Sequence, residues 1–180
     1  MTVGELLQRT RAGGAARAEL TAARGSAGSV RFTGTCDFAR GLTTLERDAP
    51  DLRPLWVELV GEEVGLTAGG EPEQRHVDPD WAGRDVGRSG AGLLGLLEAI
   101  TEHELAPGAA AELPAGDPAR WVRTLVLRVT GIPLPNGRRA AALRIAADAQ
   151  GRLEELDVTE RRLLGGAPRV THSLRLSAWR

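Results

Sequence analysis

No lysine and no tyrosine occur in the 180 residues, and cysteine is represented by Cys36 alone. A lone cysteine excludes an intramolecular disulfide and a four-cysteine zinc site. The missing lysine excludes a phosphate-binding loop of the Walker type. No run approaches the roughly 18 uninterrupted apolar residues of a membrane-spanning helix. Charge of one sign is missing too: 23 basic residues, all arginine, face 24 acidic ones for a net charge of -1, so no basic stripe draws the chain to nucleic acid. The exclusive use of arginine, with abundant alanine and glycine, fits the codon usage of a high-GC genome such as an actinobacterial one.

What is present suits one domain over residues 1–180, of a size that buries roughly 70% of the surface of its unfolded chain. Met1 to Leu20 carries Glu5, Arg9, Arg11 and Arg17 with no continuous apolar stretch, which reads as neither a signal peptide nor a lipobox. The expected location is therefore cytoplasmic, unless a leader has been removed. Thr2 followed by Glu5 is a capping-box pattern, and Val3, Leu6 and Leu7 begin an apolar stripe. A first helix is predicted to run to about Arg24, broken or bent at Gly13-Gly14.

Strand signals follow. Val30, Phe32, Gly34, Cys36 and Phe38 alternate with Arg31, Thr33, Thr35 and Asp37, and Leu42 to Arg47 reads as a return strand. Leu55 to Leu66 reads as a hairpin across Gly61-Glu62, and Gln74 to Val77 as a short strand before the Asp78-Pro79-Asp80-Trp81 turn. Ser89 to Leu105, with Leu93, Leu94, Leu96, Leu97 and Ile100, is predicted to be a central apolar helix ending at Pro107-Gly108. Beyond Trp121 four strands are expected: Val122 to Thr130, Arg139 to Asp148, Leu153 to Thr159 and Arg169 to Trp179. Asn136-Gly137, Gln150-Gly151 and Gly165-Gly166 supply their turns. The expected fold is α+β: an antiparallel sheet wrapped around the central helix, with an N-terminal helix beside it.

Candidate chemistry is sparse. Cys36 and His172 both fall on apolar strand faces and would form a nucleophile and base if they met. His76, Asp78 and Asp80 lie close in sequence, but Asp-Pro-Asp is first of all turn chemistry. His103 between Glu102 and Glu104 belongs to the wet end of the central helix. No set of residues spells out a catalytic centre, and neither a metal nor an organic cofactor is expected. Trp56 and Trp179 fall on the side of their strands opposite the main apolar set, as covering residues or as part of a partner surface.

The order of these parts, with the Val77 to Trp81 segment, the Ala147 to Leu153 turn and the closing Leu174-Arg175-Leu176 strand, resembles the LolA/LprG-like lipoprotein carrier superfamily. The resemblance implies a half-barrel around helices, with an apolar cavity for acyl chains between sheet and helix. Members of that family are normally exported or lipid-anchored, a point on which this chain departs. The leading expectation is a non-enzymatic protein that shelters a hydrophobic small molecule or lipid, lined by Val30, Phe32, Leu93, Leu97, Leu127, Leu143, Ile145 and Leu174. Two others stand beside it: an interaction or accessory module with a solid core and a protein partner, and a small cyclase or isomerase with a cone-shaped pocket.

Overall fold

The computed structural model describes residues 1–24, 28–48, 53–60, 63–77, 121–126, 132–133, 139–161 and 170–180. Helix α1 spans Val3–Ala12. The extended Thr2 caps it: its hydroxyl accepts from the Glu5 N–H at 3.2 Å, and its own N–H donates to the Glu5 carboxylate at 2.7 Å. Val3, Leu6, Leu7 and Thr10 form a buried stripe at helical spacing. The helix stops at Gly13, whose N–H caps the Thr10 carbonyl, and Gly14 then turns the chain at φ +82. A side chain at Gly14 would stand 2.5 Å from the Arg180 carbonyl oxygen, so this sharp exit needs glycine twice over.

The expected continuation of this helix to Arg24 is therefore wrong. Ala15–Arg24 is strand β1, paired along its length with a strand on either side. Alanine, arginine and glutamate favour helix by intrinsic preference. Here the alternation decides, with Ala16, Ala18 and Leu20 buried and Arg17 exposed, because two ladders of backbone hydrogen bonds outweigh local propensity.

The remaining strands are β2 (Ser29–Asp37), β3 (Leu42–Asp48), β4 (Leu55–Val60), β5 (Glu63–Ala68), β6 (Gln74–Val77), β7 (Trp121–Val126), β8 (Ile132–Pro133), β9 (Arg139–Ala147), β10 (Leu153–Arg161) and β11 (Val170–Ser177). Among the described residues they make one antiparallel sheet of 11 strands in the order β6-β5-β4-β3-β2-β1-β11-β10-β9-β7, with β8 on β9. β1 and β11 join the N-terminal meander to the C-terminal one. This corrects the expected architecture. The described residues form one large sheet with a single ten-residue helix at the N-terminus, not a half-barrel wrapped around a long central helix. The Ser89 to Leu105 segment lies outside the described residues.

One face of the sheet is apolar. Register places Phe32, Leu20, Leu174, Leu156 and Ile145 side by side on five adjacent strands. The next row runs Leu45, Gly34, Ala18, Leu176 across β3, β2, β1 and β11, and Leu45 continues it to Val57 and Leu66. At Gly34 the β3 backbone comes so near that a Cβ would meet the Thr44 carbonyl oxygen at 1.8 Å. A register shift between Leu153 and Glu155 puts both Leu153 and Leu156 on the apolar side, although they lie an odd three positions apart.

Helix α1 packs into this core beside β10, where Thr10 Oγ1 accepts the Leu153 N–H at 2.8 Å and donates to the Leu6 carbonyl at 2.8 Å. The chain end is fixed nearby. Ala15 and Arg180 exchange backbone hydrogen bonds, Trp179 stacks on Phe38 with centroids 5.7 Å apart, and the Arg152 guanidinium lies 4.8 Å from the Trp179 ring.

Candidate functional site

The residues expected to line a ligand space fall in two neighbouring rows of the apolar face, as far as they are described. Phe32, Leu174 and Ile145 share the row just given, with Leu20 and Leu156 between them. Val30 and Leu143 share the adjacent row, which runs Val30, Ala22, His172, Val158, Leu143. Phe32, Leu143, Ile145 and Leu174 are buried, whereas Val30, at the outer end of its row, is exposed. Leu93, Leu97 and Leu127 lie outside the described residues.

Leu20 stands outside the expected set because sequence propensity predicts helix over the residues of β1. The signal was present in Ala16, Ala18 and Leu20 alternating with Arg17, Glu19 and Thr21. Arg47, which register sets opposite Phe32 on the same face, also stands outside that set. The Arg47 guanidinium donates to the Arg53 carbonyl, and its buried Nε has no hydrogen-bond partner among the described residues. The apolar wall thus has a cation at its edge.

The pairing of Cys36 with His172 does not occur. Cys36 faces Ala16 and His172 faces Ala22, positions six residues apart on β1, or roughly 20 Å along a strand. The Cys36 thiol is instead buried, 3.7 Å from the Thr43 hydroxyl. The side chains of His76, Asp78, Asp80 and His103 lie outside the described set, and among the described residues no cluster of histidine, cysteine and carboxylate groups could hold a metal ion. No described helix is long and apolar enough to cross a membrane.

The opposite face is charged and internally paired. Arg144 reaches Glu155 at 2.7 Å and Asp157 at 3.5 Å, Arg175 reaches Glu155 at 3.4 Å, and Arg31 bridges Glu19 at 2.7 Å. The hydrogen bond to Glu155 holds the Arg144 guanidinium above its ordinary pKa. The two faces thus differ in kind: one offers apolar burial, the other a solvated lattice of ion pairs.

No family model matches the chain, and no curated protein does. Among solved structures, a LolA superfamily protein from Nitrosomonas europaea aligns with 99% of this chain and 92% of its own, at 8% identity and a TM-score of 0.40. That likeness is distant.

Proposed function

We propose that the chain is a non-enzymatic binding protein that shelters a hydrophobic, lipid-like ligand against the apolar face of its sheet. One observation carries the reading. Apolar rows run side by side across the middle of the sheet, with Phe32, Leu20, Leu174, Leu156 and Ile145 in register on five adjacent strands, and α1 packs beside one of these, β10. Phe32, Leu45 and Val57 lie three, four and five strands away from β10 in the sheet order. An apolar wall of this extent suits an acyl chain, since the driving force is apolar area removed from water, about 25 cal/mol per Å². Phe32, Leu143, Ile145 and Leu174 form the wall in this reading, with Val30 at its rim and Leu93, Leu97 and Leu127 as further contacts. Arg47 at the edge favours an amphiphile with an acidic head, which makes a fatty acid the first probe.

The test is mass spectrometry of gently purified protein together with titration of a fluorescent fatty acid. Co-purified lipid and saturable binding, weakened about tenfold in Phe32→Ala, are expected. No lipid and no saturation would sink the reading.

A second reading, an interaction module with a solid core, is favoured by the complete burial of Leu20, Leu143, Ile145, Leu156 and Leu174. It expects the same fold with no ligand and a protein bound through an exposed surface.

A further inference from the structure

The charged face carries a cleft of about 380 Å³ over β2 to β5, within the range of small-molecule sites. It is walled by Thr33, Thr44, Glu46, Trp56, Gly65 and Thr67. Register explains the arrangement: Thr33, Glu46, Trp56 and Thr67 stand in one row on four adjacent strands, a row spanning roughly 14 Å at about 4.8 Å per strand. Trp56 is 41% exposed, so the indole presents its surface to solvent between a carboxylate and short hydroxyl side chains.

One end of the cleft is closed by ion pairs. Gly65 has no side chain, which lets the Glu73 carboxylate fold down to within 2.5 Å of where a Cβ would stand. There Arg75 holds Glu73 at 3.0 Å and Glu58 at 2.8 Å. Those two carboxylates are committed to one guanidinium, and no arginine among the described residues pairs with Glu46.

The lining selects among ligand classes. An apolar ligand would strip water from hydroxyls and carboxylates without replacing their hydrogen bonds. An anion would meet three carboxylates. An organic cation would find Trp56 and Glu46, but would leave the row of threonine hydroxyls without a role. A sugar ring offers an apolar C–H face to the indole and hydroxyls along its edge, which match Thr33, Thr44, Thr67 and Glu46 as donors and acceptors. We propose that this cleft binds a neutral saccharide, with Trp56 as the platform and Glu46 and the threonines as the polar edge. The site lies on the face opposite the proposed lipid-binding wall, so the two stand or fall separately.

The experiment is calorimetric titration of the full chain with short malto-, cello-, manno- and N-acetylchito-oligosaccharides, and separately with tetramethylammonium chloride. Saturable binding of at least one saccharide is expected, weakened about tenfold or more in Trp56→Ala, less in Trp56→Phe, which keeps a ring, and a few-fold in Glu46→Gln, which keeps a hydrogen-bonding edge without the charge. Because Trp56 is exposed, an unchanged circular dichroism spectrum is expected for its variants. The proposal is overturned if no saccharide saturates, if saccharide binding survives Trp56→Ala unchanged, or if only tetramethylammonium binds and Glu46→Gln removes it.

Discussion

At the scale of single residues, Thr2, Leu20 and Gly34 each carry a separable share of the fold. Thr2 closes a reciprocal cap on α1, so Thr2→Ala is expected to cost about 1 kcal/mol in thermal or urea unfolding. The backbone N–H of Thr2 holds the Glu5 carboxyl below its usual range. A depressed carboxyl pKa stabilises the fold above the ordinary carboxylate range, and that contribution is lost as pH falls through the lowered native value. The Tm gap between the native chain and Glu5→Ala should therefore be open at neutral pH and narrow on acidification, as followed by circular dichroism. Leu20 is fully buried in the middle of the apolar row, and Leu20→Ala should cost 2 to 5 kcal/mol, or about 3, in urea with an unchanged m value. Gly34→Ala should cost about 3 kcal/mol, since its Cβ would meet the rigid backbone oxygen of Thr44 and not a side chain able to swing away.

At the scale of elements, what could be read from sequence depended on whether the signal was local. The capping box, the alternation of Val30 to Cys36 and the hairpin across β4 and β5 were legible because each is set by its own residues and its neighbours in sequence. β1 was not. Its alanines, arginines and glutamate have helical propensity, and one of the two ladders that make it a strand lies in β11, some 150 residues further on, whose Leu174 and Leu176 pair with Leu20 and Ala18. Long-range pairing of that kind leaves no local mark beyond the two-residue alternation. Because β1 is bonded on both sides over nearly its whole length, its amides should be among the slowest of the described residues to exchange with deuterated water, and those of β6 among the fastest. Fast exchange along β1 would mean that the two meanders are not joined through it.

At the scale of the whole molecule, the sheet separates two chemistries, an apolar wall and a paired, charged outer face. Part of the apolar face was legible. Phe32, Leu143, Ile145 and Leu174 were found from strand alternation, which is a local property, and they do share one face. The adjacency of Arg47 to Phe32 and of Trp56 to Glu46 was not, because it depends on strand register, and register is fixed only when the partners are known. The central claim is that the apolar face receives a hydrophobic ligand. Photolabelling with a diazirine-bearing fatty acid, followed by peptide mapping, tests it most directly. The account predicts saturable labelling of Leu20, Phe32 and Leu174, suppressed by unlabelled fatty acid. Labelling confined to the charged face, or none that unlabelled fatty acid suppresses, would contradict it.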